Sequence, residues 1–532
     1  MHTEGVTARS RDTRFWILAF LLLGTFFPPF VHAQQDPAAS ERVLVQRFDF
    51  TGNRAIATAE LKSIVAPFVG KELNLTEIQA VAGRITEEYR SRGYALAKAY
   101  ISQQEITAGA IEVAVLEGRL GAIEVKGNNF YSADFIRSHF TTVVEEEAIK
   151  RSSLEKALLI LNDYRNIKAT MTLRVGKEPG TTDLIVDVKE SFPVHLSLDY
   201  NNFGSSAVSR NRFGAELEVA KFLPIEGSLL SIRGVMGSKA SDFAYGRTAF
   251  TVPVNDYGTR AVLFAFGGDF DVGQEFKDLD IKGQSWGYGI ILSHPFIKTR
   301  FHSLSGEVGF ESEDTKEFLL NTLSSRDRIR SLKAGVDFSS IDGTGRSRVS
   351  FAVNQGLGDS FGAMKNHDPK SSRLLADNRF SLFSLNAARL QRITDLLSVL
   401  LRASGQATTR SLVASEQFAL GGADTVRGYP QGEFLGDHGY SVSTEFRVSP
   451  LPQWDALQLA FFVDHGGVAV PEAPAGSRSY HNLTGVGYGL RIAASYSSLA
   501  FHGRFDVGFP VQPSKSSSDQ RPMLYIQAVA SF

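Results

Sequence analysis

From Phe192 to its last residue, Phe532, the chain alternates apolar and polar side chains with a period of two. Around Phe505 one face carries Leu499, Phe501, Gly503, Phe505, Val507 and Phe509, while the other carries Ala500, His502, Arg504, Asp506 and Gly508. Around Thr444 the set Val442, Thr444, Phe446 and Val448 alternates with Ser443, Glu445 and Arg447. Period two is the period of a strand, so this region is built of strands apolar on one face and charged on the other. Two folds satisfy that pattern. A soluble sandwich buries the apolar face, whereas a membrane barrel turns it to lipid and encloses the charges in a wet lumen. Candidate strands begin near Val194, Phe213, Leu230, Phe243, Ala261, Trp286, Phe301, Ile329, Val349, Phe380, Leu397, Tyr440, Leu457, Gly485, Leu499 and Met523. That is sixteen, an even number, as a bacterial single-chain barrel requires.

A signal peptide, the long strands and the aromatic terminus tilt the choice toward the barrel. Arg9, Arg11 and Arg14 precede an apolar run over residues 15–27, followed by Val31-His32-Ala33, the arrangement of a secretory signal peptide (residues 1–33) removed after Ala33. Pro28 and Pro29 interrupt the run, which is short for a hydrocarbon core of about 30 Å. Beyond it no stretch approaches the roughly 18 consecutive apolar residues of a spanning helix, so any membrane-spanning part is a closed barrel. With 56 basic against 57 acidic residues the chain lacks the basic footprint of a nucleic-acid partner. Zero cysteines remove disulfides, thiolate metal ligands and a cysteine nucleophile.

Before the barrel the pattern changes. From Val43 to Glu190 short strands alternate with amphipathic helices, twice over. Phe50-Thr51-Gly52-Asn53 is echoed by Val125-Lys126-Gly127-Asn128, which marks an internal repeat. In the first copy Asn74 and Glu77 predict a capped helix start, with Ile78, Val81, Ala82, Ile85 and Tyr89 on one face and Gly93 as its stop. In the second, Ser152 and Glu155 predict the same start, with Leu154, Ala157, Leu158, Leu161 and Tyr164 as the stripe. Strands are predicted over Ala97–Ser102, Ala110–Leu116, Ala169–Val175 and Leu184–Val188.

One loop of the barrel half stands out. Residues 409–436 hold Gly421, Gly422, Gly428 and Gly432 around Val426-Arg427-Gly428-Tyr429, flanked by the apolar Phe418 and Leu420. Loops of this length are functional or disordered, and the apolar flanks point to an ordered, inward-folded one. A guanidinium carried into a lumen needs a carboxylate. Counting by two, Leu457, Leu459, Phe461 and Val463 face lipid, so Phe462 and Asp464 face inward, and Asp464 becomes the candidate partner of Arg427.

These segments resemble a known family. Gly93-Tyr94, Tyr100-Ile101-Ser102-Gln103-Gln104, Gly109 and Leu116-Glu117-Gly118 look like a POTRA domain of outer-membrane assembly and secretion proteins. The loop motif, Leu292-Ser293-His294-Pro295 and the terminal Phe532 are similar to the two-partner secretion transporters, the haemolysin and filamentous-haemagglutinin exporters (ShlB/FhaC-like). The resemblance implies two periplasmic α+β POTRA domains, 43–118 and 119–190, and a 16-stranded antiparallel transmembrane barrel over 191–532. It places the loop motif on Val426, Arg427, Gly428 and Tyr429, the barrel-wall motif on Phe462, Asp464 and Gly466, and the membrane-assembly signal on Phe532. It implies an outer-membrane translocator of a Gram-negative cell, not an enzyme, without cofactor or metal. Its POTRA domains would capture a secreted partner polypeptide, an adhesin, haemolysin or similar, and pass it through the barrel. The implied partners are that polypeptide, outer-membrane lipid and the barrel-assembly machinery, with a monomeric state. Relatives of the same superfamily that insert other barrels into the membrane are the alternative reading, and a passive porin is a third, disfavoured by the POTRA repeats. Only residues 34–42 lie between the leader and the first strand, too few for a lumen-plugging helix, so none is expected.

Other features read as ordinary structure. His195, His294, His302 and His481 lack metal-ligand spacing. Gly485, Gly487 and Gly489 mimic a dinucleotide fingerprint but lie in a strand with no following helix, and so read as close packing. Glu311, Glu313, Asp314 and Glu317 read as a solvated acidic loop rather than a calcium site.

Overall fold

A computed structural model describes residues 42–146, 148–373, 375–450, 456–472, 478–513 and 521–532. The expected signal peptide and the expected lack of a plug helix fall outside these residues.

The first small unit sets strand Arg47–Thr51 parallel to Ala110–Leu116, which pairs antiparallel with Lys98–Ile101. Helix Leu75–Ser91 packs on this sheet and opens with the predicted capping box: Asn74 accepts from the Glu77 N–H at 2.9 Å, and the Glu77 carboxylate accepts from the Asn74 N–H at 2.8 Å. Its stripe, Ile78, Val81, Ala82, Ile85 and Tyr89, is buried. The second unit repeats the layout with Arg119–Lys126 parallel to Thr181–Glu190 and the latter antiparallel to Ile167–Val175. Gly52 and Gly127 show why the repeat was readable. Each has φ near +80°, and a Cβ at either would lie 2.3 Å from a carbonyl oxygen, of Val115 in one copy and Val188 in the other. Only glycine serves there.

The second helix start differs from expectation. Helix Arg151–Leu161 begins one residue before Ser152, its N-cap is Lys150 with no side-chain cap, and Ser152 lies within its first turn. Glu146 takes over the anchoring by accepting from the Lys150 N–H and the Ser153 hydroxyl.

Sixteen antiparallel strands then close into a barrel, the last, Met523–Ser531, pairing with the first, Val194–Asn201. No edge remains, which is what a sheet in hydrocarbon requires. Outward positions Leu459, Phe461 and Val463 are exposed, while Phe462 and Asp464 are buried within the wall's inner face. The second small unit touches one end of the barrel: Lys221 Nζ donates to the Phe130 carbonyl at 2.6 Å, Lys298 meets Asp163 at 2.7 Å, and Arg300 meets Glu155 at 3.2 Å. The loops spanning 357–380 and 409–437 lie at the opposite end.

Three consecutive strands, and Tyr480–Tyr496 with 17 residues, are longer than the alternation suggested. Lys282–Lys298, His302–Leu319 and Thr322–Ile341 have 17, 18 and 20 residues, well beyond the roughly ten that span a bilayer. Glu311, Glu313, Asp314 and Glu317 are therefore not in a solvated loop. They sit in His302–Leu319, and Asp314 is buried between Arg326 and Arg330 at 3.0 and 2.7 Å. The pairing ladder continues past the lipid, where outward side chains become polar and the apolar signal stops.

Candidate functional site

The loop between Leu397–Thr408 and His438–Val448 folds inward through a short hairpin, Phe418–Leu420 against Phe434–Gly436. Leu420, Val426 and Tyr429 pack with Val468 and Leu483 of the wall, which fixes the loop by apolar burial before any charge is considered. Backbone contact is equally close. A Cβ on Gly485 would fall 1.8 Å from the Arg427 carbonyl oxygen, and one on Gly508 2.5 Å from the Gly428 nitrogen. Gly428 itself has φ +103° and lies against the Phe509–Pro510 backbone. The glycines of the wall are thus the bed on which the loop lies.

Arg427 is fully buried and its donors reach four side chains on three strands. Asp464 accepts from the Arg427 main-chain N–H at 3.1 Å, from Nε at 2.6 Å and from Nη2 at 2.8 Å. Nη1 reaches Glu445 at 2.7 Å and Asp506 at 3.2 Å, and Nη2 reaches the Ser443 hydroxyl at 3.3 Å. The Phe462 ring lies 3.3 Å beneath Cζ, a cation–π contact that suits the flat guanidinium. One cation among three carboxylates would be unstable, and three further arginines restore the balance. Arg491 binds Glu445 at 2.7 Å and Asp506 at 2.6 Å, Arg504 binds Asp506 at 2.7 Å, and Arg447 binds Glu445 at 2.9 Å. Arg504 also donates to the Ala423 carbonyl at 2.8 Å, a second hold on the loop.

Tyr429 ties the motif to the last strands. Its hydroxyl lies 2.8 Å from the Gln512 carbonyl and 3.0 Å from that of Thr484, while the Tyr525 hydroxyl accepts from the Gly428 N–H at 3.0 Å and donates to the Tyr429 carbonyl at 2.7 Å. Gly466 lies beside the loop as well, where a Cβ would meet Leu420 at 2.6 Å. Val426, Arg427, Gly428, Tyr429, Phe462, Asp464 and Gly466 therefore converge. Phe532 lies apart, at the barrel end that meets the second small unit, its N–H donating to the Leu196 carbonyl at 2.8 Å.

Sequence reasoning missed Glu445, Asp506, Arg491, Arg504 and Tyr525 as parts of this cluster. The alternation already turned Glu445 and Asp506 inward, yet which inward carboxylate a loop reaches depends on barrel curvature and register. Gly485, Gly487 and Gly489 do accommodate close packing, against Arg427, the Phe462 ring and the Asp506 carboxylate. The histidines are dispersed: His294 bonds Thr259 at 2.8 Å, His302 bonds Ser340 at 3.0 Å, and His481 stacks on Phe434. Among the described residues no group of three or more His, Asp or Glu is arranged to hold a metal ion.

Residues 180–492 match the family described as haemolysin secretion/activation protein ShlB/FhaC/HecB, and residues 43–118 match the POTRA domain of ShlB type. The heme/hemopexin transporter protein HuxB of Haemophilus influenzae is 29% identical over 426 residues, 78% of this chain and 74% of the relative. The outer membrane transporter CdiB of Escherichia coli O6:K15:H31 is 24% identical over 506 residues, 91% of this chain and 82% of the relative. Among solved structures, CdiB from Escherichia coli superposes with a TM-score of 0.77 at 20% identity, covering 96% of this chain and 93% of that one. BamA from Haemophilus ducreyi lacking POTRA domains 1–3 shares the fold at a TM-score of 0.54 and 14% identity, covering 92% of this chain and all of that one.

Proposed function

Because the chain belongs to the haemolysin secretion/activation family ShlB/FhaC/HecB, an outer-membrane family of two-partner secretion, we propose that its inward loop is the gate through which a partner polypeptide leaves the cell. The division of labour is 43–118 and 119–190 as POTRA domains in the periplasm and 191–532 as the barrel. Val426, Arg427, Gly428 and Tyr429 act as the gate's latch, with Phe462, Asp464 and Gly466 as its keeper.

The observation that carries this reading is the site of Arg427. Its charge is held by polar groups on three wall strands, so the loop has one well-defined seat inside the lumen. Leaving that seat exchanges buried ion pairs for water, a costly but local step that does not disturb the ladder of the barrel. In the periplasm an unfolded partner can add a strand to an exposed sheet edge, main-chain hydrogen bonds supplying affinity and alternate side chains selectivity. Folding of the partner outside the cell then supplies direction without nucleotide. The partner is a secreted polypeptide presented in extended form, and Phe532 serves as the assembly signal for the barrel.

The same site argues against the insertase alternative only through its family, so the experiment separates the two. Arg427→Ala and Asp464→Ala variants are compared with the unaltered chain for secretion of its partner polypeptide, at equal amounts of surface-inserted barrel. Changed export with other outer-membrane barrels at normal levels supports the gate. Unchanged export defeats it, and loss of other barrels favours the insertase.

A further inference from the structure

Outside the lumen, the strands Lys282–Lys298, His302–Leu319 and Thr322–Ile341 carry a second organised surface. Along the first, Phe296, Leu292, Ile290, Tyr288 and Trp286 face outward and are exposed. From Phe296 to Trp286 is ten residues, about 25 Å of height for a tilted strand, which is the apolar band of an outer-membrane barrel. Phe296 lies toward the periplasmic end, so Tyr288 and Trp286 form the aromatic girdle at the cell-surface edge of the lipid.

At that level the outward face turns basic within one step. Register pairs Phe310 with Leu332, both apolar, then Ser312 with Arg330, Asp314 with Arg328, and Lys316 with Arg326. Tyr288 and Trp286 stand opposite Ser312 and Asp314 on the other side. Four cations thus surround one carboxylate. Asp314 is used up by Arg326 and Arg330, whereas Lys316 and Arg328 make no ion pair among the described residues. The Arg326 side chain is 39% exposed, its Nε has no hydrogen-bond partner, and the buried Ser312 hydroxyl has none either. Asp269 and Asp271, opposite Gln284 and Lys282, bound the patch on its far side. Above it the loop 357–380 is fixed by hydrogen bonds to the strand, Met364 N–H to the Arg328 carbonyl and Arg330 Nε to the Phe361 carbonyl. Phe361 holds φ +52° and leaves its ring 76% exposed, edge-on to Phe310.

We propose that this face, Lys316, Arg326 and Arg328 above the Trp286–Tyr288 girdle, binds the phosphorylated headgroup of an outer-leaflet lipid. Guanidiniums two residues apart on one face are separated by about 7 Å, a spacing that lets two of them share one phosphate. The girdle fixes the height of the patch at the headgroup plane, and the exposed Phe361 and Tyr288 rings provide the apolar contact that a lipid has and a free anion lacks. Asp314 holds Arg326 and Arg330 in place and leaves the outer ammonium and guanidinium groups open.

The test uses the full chain in detergent micelles, titrated with bisphosphorylated lipid A, with the same lipid after its phosphates are removed, and with inorganic phosphate as competitor. The readout is bound lipid by native mass spectrometry. The combined Lys316→Gln, Arg326→Gln and Arg328→Gln variant is expected to bind bisphosphorylated lipid A at least tenfold more weakly. The unaltered chain is expected to bind the dephosphorylated lipid at least tenfold more weakly than the intact one, a comparison that does not depend on the variant folding. Equal binding of the two lipids by the unaltered chain, equal binding of intact lipid by the two chains, or competition by inorganic phosphate at the concentration of the lipid would overturn the proposal.

Discussion

Asp464 grips Arg427 through both backbone and side chain: one oxygen, Oδ2, accepts the main-chain N–H at 3.1 Å and Nε at 2.6 Å, and Oδ1 accepts Nη2 at 2.8 Å. Position and charge are fixed together, so the pair sets the register of the loop on the wall. Glu445 and Asp506 touch only Nη1 and neutralise without positioning.

Asp464→Ala removes three bonds and leaves a buried cation underpaired, a loss of about 3–5 kcal/mol for such a pair. Single-channel recordings in planar bilayers are predicted to show larger and more frequent openings than the unaltered chain. Asp464→Asn keeps an acceptor for the main-chain N–H and is predicted to fall between them.

A methyl group on the wall tests the backbone contact without touching any charge. Gly485→Ala places a carbon 1.8 Å from the present Arg427 carbonyl oxygen, while Gly234→Ala on another strand meets nothing within 4 Å. Gly485→Ala is predicted to make the loop 409–437 cleavable by added protease on intact cells, with Gly234→Ala as resistant as the unaltered chain.

The outer end of the loop has a clamp of its own. Asp437, buried at the loop's last position, accepts both terminal nitrogens of Arg373 from the neighbouring loop, Nη2 at 3.1 Å, and also the Leu412 N–H at 3.1 Å. Arg373→Ala leaves that carboxylate with weaker partners, a cost of about 1–3 kcal/mol for a buried acceptor. Faster hydrogen exchange confined to residues around 411–437 is the predicted result.

The second periplasmic unit should weaken in mild acid. His139 is buried, bonded to the Phe135 carbonyl at 2.8 Å and to the Tyr164 hydroxyl at 3.0 Å, and burial pushes its pKa below the ordinary value. The folded state resists protonation that the unfolded chain accepts near pH 6.5. Stability is therefore complete above about pH 6.5, declines as the pH falls below it, and levels off beneath the depressed folded value. Thermal unfolding of this unit is predicted to drop over that window, and a His139→Gln variant to lose the dependence.

Much of this was legible in sequence because period two is a local signal. Val194, Phe243, Leu397, Leu457, Leu499 and Met523 begin observed strands. The three consecutive long strands begin four, one and seven residues from their predicted starts at Trp286, Phe301 and Ile329 and run beyond the apolar pattern, because above the lipid their outward residues become Ser312, Asp314 and Arg328 and no longer alternate with apolar ones. Asp464 emerged from counting by two along its own strand. Glu445 and Asp506 carried the same inward parity, but their meeting at Arg427 is set by closure of strands 79 residues apart from the loop at the furthest, Arg427 to Asp506. Ser152 shows the opposite failure: a locally sound cap signal was displaced when Glu146 anchored the preceding turn from outside the helix.

The central claim is that the loop must leave its seat for a polypeptide to pass. The chain has no cysteine, so a pair introduced by Val426→Cys and Leu483→Cys, whose side chains share one packed cluster of loop and wall, forms the only possible disulfide. Secretion of the partner is measured from cells with this bond oxidised and then reduced, at equal surface-inserted barrel. Export that stops on oxidation and returns on reduction is the predicted result. Export that continues unchanged with the bond fully formed would contradict the account.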